Sequence, residues 1–223
     1  WVSSVDWQNE VPFGEDLFKQ ITDPYRRLRN TLRILLANLK GYNGDRPAAI
    51  DPLDAWILER VNALITEVRA AYDSYEFRKV FMAINQFCTN DLSALYIDVT
   101  KDSLYCDAAA SDRRLSRQFA ISRVFDALVK LLAPILAYTA DEAWEHAGHT
   151  DSVHEQDFPT VDPEFNTGAT ATFARLQQIK SVIQVAIEAQ IKAKAFNKNN
   201  EAVVALSDPS GWCAKVLYFL QYA

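Results

Sequence analysis

Apolar residues recur at helical spacing along most of the chain. Tyr25, Leu28, Leu32, Leu35, Leu36 and Leu39 follow one another at intervals of three and four, one stripe of a helix. Asp23-Pro24 ahead of the stripe reads as an N-cap with proline at the first helical position, and Lys40-Gly41 reads as its end. Asp51-Pro52 opens a second helix in the same way, with Ile57, Val61, Leu64, Ile65, Val68 and Tyr72 on one side. A third, from about residue 76, carries Phe77, Val80, Phe81, Ile84, Phe87, Cys88, Leu92 and Leu95. After a polar link around residues 101–111, a fourth carries Leu115, Ile121, Val124, Phe125, Leu128, Leu131 and Leu132. Pro134 interrupts it and starts a new helical turn that runs on through Trp144. Four long amphipathic helices with short to moderate links predict an all-α fold, an antiparallel helix bundle over residues 23–147.

The flanking segments carry other patterns. Residues 1–22 are polar and aromatic with a break at Pro12–Gly14, which predicts an irregular lead-in and a short helix, a connector into the bundle. The Pro-, Asp- and Thr-rich residues 148–170 predict a strap over the bundle or a linker. A fifth helix is expected over about residues 171–195, then a turn at Asn197–Asn200 and a short alternating strand, Glu201–Leu206. Asp208-Pro209 caps a last helix, so residues 171–223 read as the start of a truncated helix–strand–helix module. Trp1 is not a methionine start and the chain ends inside an apolar helical pattern, so a piece of a longer protein is expected.

Composition narrows the chemistry. With 49% hydrophobic residues the chain can bury a core without covalent staples. Its three cysteines, Cys88, Cys106 and Cys213, are far apart and form no CxxC pair, which supports neither a disulfide framework nor a cysteine zinc site. A reducing, cytoplasmic compartment is the simpler expectation. No apolar run approaches the roughly 20 residues needed to span a bilayer, and no membrane association is expected. There is no glycine-rich phosphate loop and no nucleophile elbow. His146, His149 and His154 lie close together but lack cysteine or carboxylate company at ligand spacing, so they read as helix-end and loop residues, with no metal expected.

Charge is distributed unevenly. The chain carries −6 in total, yet residues 23–33 carry +3 and residues 175–198 carry +4, which leaves −13 on the remainder. In the first of these stretches Arg26, Arg29, Asn30 and Arg33 fall within an arc of about 100° beside the leucine stripe, while Arg27 points elsewhere. Asp23 is the only acid between residues 17 and 44, so ion pairing within this helix is scarce. Guanidinium forks suit phosphate oxygens, and an asparagine beside them can meet sugar or base edges. A polyanion-binding track is expected here, with the basic stretch that holds Lys180, Lys192, Lys194 and Lys198 as a second contact. The competing reading is a solvated helix face paired to acids on facing helices.

The helix PYRRLRNTLRILLANL resembles the first helix of the anticodon-binding domain of bacterial-type isoleucyl-tRNA synthetases, class I enzymes of the subgroup that also handles valine, leucine and methionine. WVSSVDWQNEVPFGEDLFKQ is similar to the family's segment joining the catalytic domain to the bundle, and YEFRKVFMAINQFCTNDLSALYIDVTKDSLY to the bundle's middle helices. LLAPILAYTADEAW resembles the subgroup's turn into a Thr-Ala-(Asp/Glu)-Glu-x-Trp helix, and SVHEQDFP the strap that follows. The isoleucine assignment rests mainly on the Arg-Arg-x-Arg-Asn-Thr block at Arg26–Thr31. Towards the end the family pattern changes: Gln190 stands near an expected arginine, and FNKNNEA replaces the usual Ile-Gly and Ser-Leu pairs, with Asn197 able to supply the turn.

The resemblance implies a tRNA(Ile) anticodon stem-loop as partner and a non-catalytic role for this segment. The family's full-length enzymes ligate isoleucine to tRNA with ATP and Mg, are expected to act as monomers, and contact this domain with their own catalytic domain. The family's signature loops, His-Ile-Gly-His and Lys-Met-Ser-Lys-Ser, do not occur in the chain. No cofactor is expected within it, and the zinc that some members bind lies near their extreme C-terminus, outside this chain. Two further readings stand beside this one: the same domain of a valine or leucine enzyme, and a helical protein-interaction scaffold.

Overall fold

A computed structural model describes residues 2–7, 9–11, 14–194 and Trp212. They belong to two compact units, residues 1–167 and 168–223.

In the first unit the chain runs through α1 (Glu15–Asn38), α2 (Pro52–Asp73), α3 (Phe77–Gln86), a π-helical segment (Phe87–Ile97), α4 (Asp98–Cys106), α5 (Asp112–Leu132) and α6 (Ala137–His146). α3, the π segment and α4 follow without a break, so successive long helices alternate in direction. α2 packs against α3 and α5, while α1 packs against α5, α6 and the π segment. The predicted stripes form the core: Leu28, Leu32, Leu35, Ile57, Val68, Ile84, Leu92, Ile121, Leu128 and Leu131 are all buried. The caps follow the sequence at α2 and α5. Asp51 accepts from the Leu53 amide at 2.9 Å ahead of Pro52, and Ser111 accepts from the Arg114 amide at 3.2 Å.

Three departures from the sequence reading have local causes. First, α1 starts at Glu15 rather than at Asp23, with Pro24 inside it. Proline deprives the Gln20 carbonyl of its helical donor, but Gln20 is exposed and water can take that place. Glu15 and Asp16 favour the new N-terminus, and Ile21, Tyr25 and Leu28 continue the inward face below the proline. Second, the polar link shrinks to residues 107–111, because Thr100, Ser103 and Leu104 are buried and hold α4 to the core. Third, the π segment adds a residue to the turn, so that Tyr96 rather than Leu95 faces the interior.

Tyr96 thereby reaches a buried polar cluster at the starts of α2 and α5. Arg117, only 1% exposed, lies 2.7 Å from both Asp51 Oδ1 and Asp54 Oδ1. Asp54, fully buried, also accepts from Tyr96 Oη at 2.5 Å and from Ser116 Oγ. Burial works against a charged guanidinium, but Asp54, Tyr96 and Asp51 outweigh it and hold Arg117 above its ordinary value.

Residues 148–167 cross the outside of α6, α5 and α2 as a strap. Asp141 of α6 accepts from Ser152 Oγ at 2.7 Å and from the Val153 amide at 3.1 Å, and Val153 is buried. Asn62 of α2 donates to the Asp162 carbonyl at 2.7 Å and accepts from its amide at 3.1 Å. Phe165 packs edge-on against Phe119, with centroids 6.2 Å apart. In the second unit, α7 spans Ala169–Lys192, and Lys194 takes the left-handed position behind it at φ 60°. Arg175 lies over the Trp212 ring at 4.1 Å. The expected turn at Asn197–Asn200, the strand Glu201–Leu206 and the cap Asp208-Pro209 lie outside the described residues.

Two outcomes follow. Arg117→Met should cost about 3–5 kcal/mol in urea unfolding, because it leaves two carboxylates buried without their cation. Lys101→Met, which removes only an exposed pair with Asp98, should leave the urea midpoint almost unchanged; equal effects would contradict the account. The Ser152 hydroxyl and the Val153 amide hold the Asp141 carboxyl below its ordinary value. Its anchoring is therefore complete above the unfolded carboxylate value of about 4 and is lost as pH falls through the lower native value. Asp141→Ala should accordingly expose residues 148–161 to limited proteolysis at neutral pH while the bundle stays intact.

Candidate nucleic-acid interface

Buried Leu28, Thr31, Leu32, Leu35 and Asn38 fix the roll of α1 about its axis. At its C-terminal end Gln118 of α5 donates to the Asn38 carbonyl at 2.9 Å, satisfying one of the acceptors a helix end leaves open. Along its flank α6 docks in three polar steps. Tyr25 Oη and Thr139 Oγ1 are 3.1 Å apart, Arg29 Nη1 donates to Tyr25 Oη at 3.4 Å, and Arg29 Nη2 lies 2.9 Å from Glu142 Oε1. The Tyr25 hydroxyl and then Glu142 raise the guanidinium of Arg29 above its ordinary value, so it stays charged.

The opposite side of α1 faces solvent. Arg26, Arg27, Asn30, Arg33 and Lys40 are all exposed. Arg26 has only Asp23 nearby, at 3.8 Å with both side chains largely exposed. Among the described residues Arg33, Arg27 and Lys40 make no ion pair. Of the four residues expected to present themselves together, Arg26, Asn30 and Arg33 are open and Arg29 is engaged by Glu142. That acid sits on another helix, out of reach of any count within α1. Arg27 points to a different flank, as expected from the helical angle, yet is equally solvated. Lys40, which the sequence reading used only as a stop signal, extends the cationic face by two turns beyond Arg33.

On the α6 flank, beside that face, lies a groove of about 180 Å3 lined by Leu32, Leu36, Ala143, Arg33, Glu142 and His146, among others. Tyr138, beside Thr139 on α6, is 92% exposed. Trp56 and Trp144 are buried, and neither offers a ring to solvent. The lysines of α7 do not form a comparable strip: Lys180 is half-buried, and Lys192, exposed, lies about 120° around the helix from it. Lys194 follows the helix end, and Lys198 lies outside the described residues.

Other candidate chemistry has packing roles. His149 stacks on Trp144 at 3.6 Å, His154 Nε2 lies 3.3 Å from the Ala137 carbonyl, and His146 ends α6. Among the described residues no group of three or more His, Cys, Asp or Glu side chains could hold a metal ion. Burial pushes the Cys88 thiol up to about 12, far from a reactive thiolate. No helix among the described residues is long and apolar enough to cross a membrane.

A helical bundle presenting a cationic helix face has the charge pattern of a polyanion-binding module. The family described as the anticodon-binding domain of tRNA ligase matches residues 54–205, and the chain belongs to that family. It is similar to the isoleucine–tRNA ligase of Methylacidiphilum infernorum, 37% identical over 211 residues, which make up 92% of this chain and 23% of the relative. The isoleucine–tRNA ligase of Symbiobacterium thermophilum is 36% identical over 220 residues, 95% of this chain and 24% of that protein. That of Geobacillus thermodenitrificans is 37% identical over 217 residues, 92% and 23% respectively. The chain thus spans about a quarter of the length of these curated relatives. The family match begins at Asp54, behind α1, whereas the 95% match is too extensive to leave Arg26–Arg33 out.

The Arg29–Glu142 pair is half-exposed on both sides, so its attraction is screened. A double-mutant cycle with Arg29→Gln and Glu142→Gln should give nearly additive shifts in thermal unfolding. Strong non-additivity would show that Arg29 serves the α1–α6 junction rather than the open face.

Proposed function

We propose that this chain docks the anticodon arm of tRNA through the outer face of α1, within an enzyme that ligates isoleucine to tRNA(Ile). The observation that carries this is the set Arg26, Asn30 and Arg33, exposed on a helix whose roll the core fixes, with Lys40 exposed just past its end, in a member of an anticodon-binding family. Phosphates of the arm are held by Arg26, Arg33 and Lys40, with Arg29 available at the α6 margin and Asn30 beside sugar and base edges. The basic residues Lys180, Lys192, Lys194 and Lys198 supply a second contact, and Arg27 is assigned no part. Residues 1–22 join the bundle to the enzyme's catalytic domain, and residues 171–223 begin a C-terminal junction module. The whole enzyme uses ATP with Mg for the ligation, acts as a monomer in the cytoplasm, and keeps all of that chemistry outside this chain. The names of the relatives favour isoleucine over valine or leucine.

The test is a salt series with an isoleucine anticodon stem-loop, read by fluorescence anisotropy. Log affinity should fall with log salt by about 0.7–0.9 per phosphate neutralised, and Arg26→Glu/Arg33→Glu should both weaken binding at least tenfold and flatten the slope. Arg113→Glu, in the first turn of α5 where Arg113 pairs with Asp107, should change neither. An unchanged slope in the α1 double variant would overturn the docking face.

A further inference from the structure

Beside the open face of α1 lies a concave feature that phosphate contacts alone leave unfilled. The groove of about 180 Å3 between α1 and α6 has apolar walls in Leu32, Leu36 and Ala143, with Arg33 on its α1 lip and Glu142 and His146 on its α6 lip. Apolar walls suit the faces of an unstacked nucleobase, which is the form in which RNA loops are read. A cation at the mouth suits the phosphate of the same nucleotide.

The polar edge of the groove is more selective. Glu142 keeps one carboxylate oxygen on Arg29 at 2.9 Å, is about half exposed, and has no other hydrogen-bond donor among the described residues. Arg29, which also lines the groove, takes one oxygen of the half-exposed carboxylate and leaves the other without a donor among the described residues. The neighbouring hydroxyl, Thr139, is already engaged with Tyr25. A carboxylate has no donor of its own, so it meets a base edge that carries two adjacent N–H groups better than any other. Guanine has such an edge, with N1–H beside the N2 amine. Adenine and cytosine set one amine beside a ring acceptor, and uracil flanks its single N–H with carbonyl oxygens that a carboxylate repels.

We propose that this groove receives one unpaired base of the RNA loop docked on α1, and that Glu142 selects guanine there. The proposal rests on the reading of α1 as an RNA-docking face. Two variants probe it by different routes. Glu142→Gln keeps an acceptor for Arg29 but replaces one carboxylate oxygen with a donor. His146→Trp fills the groove from an exposed helix end without entering the core.

The measurement is binding of isoleucine anticodon stem-loops in which each loop guanine in turn is replaced by inosine, which lacks the N2 amine. At one position inosine should weaken binding to the unaltered chain about five- to tenfold, the scale of a lost partner in a two-point base contact. Glu142→Gln should bind the guanine and inosine loops alike. His146→Trp should bind the guanine loop no better than the unaltered chain binds inosine. If inosine has no effect at any position, has the same effect in Glu142→Gln, or if His146→Trp binds normally, the groove does not read a base. Those results leave the salt response of Arg26→Glu/Arg33→Glu untouched, so failure of the groove and failure of the docking face are separately visible.

Discussion

Arg117 is the residue around which the first unit is assembled. It is an ion placed where water is absent, between two carboxylates from the first turn of α2 and the turn before it, with a tyrosine from the π segment closing the ring. Such a cluster is weak evidence for stability, since desolvating the charges costs nearly what their attraction returns. Its effect is on register. The geometry satisfies Asp54 only if α2, α5 and the π segment each present one particular residue at one height, so sliding any of them by a turn would strand a buried charge. The N-termini of α2 and α5 meet here too, and their partial positive ends favour the carboxylates.

The placement of α1 follows from that register. The residue after Arg117, Gln118, holds the last turn of α1, and α6, hung from α5 by a short turn, carries Thr139 and Glu142 against its flank. The leucines of α1 leave only one roll that buries them, and its cations then have to face outward. Packed helices thus hold α1 at its C-terminal end and along one flank, and leave its cationic side chains to solvent. The charge distribution agrees with this division. A chain of −6 that concentrates +3 in eleven residues of α1 and +4 in residues 175–198 favours a polyanion at those stretches and disfavours one at its acidic remainder.

The helices and their inward stripes were legible in the sequence because amphipathic periodicity is imposed by the core itself, and Asp51-Pro52 marked a helix start by its own hydrogen bonding. What stayed hidden depends on distant partners. Pro24 reads as a helix start, and only the packing below it reveals a helix already under way. Leu95 fits the stripe as well as Tyr96 does, until the buried Asp54 rewards the wider turn that brings Tyr96 inward. Arg117 looks like any arginine on an amphipathic helix. The site divides in the same way. Helical angle alone separated Arg26, Asn30 and Arg33 from Arg27, whereas the engagement of Arg29 by Glu142, 113 residues away, and the groove between their helices require the fold.

The most direct test of the central claim is NMR of the arginine side-chain Nε–H groups during titration with an anticodon stem-loop. Each guanidinium reports its own surroundings, and buried Arg117 serves as an internal reference that RNA cannot reach. The account predicts that the Arg26 and Arg33 signals move on binding while Arg117 stays in place. Unmoved Arg26 and Arg33 signals in a saturated complex would contradict it, because the RNA would then be bound somewhere other than the outer face of α1.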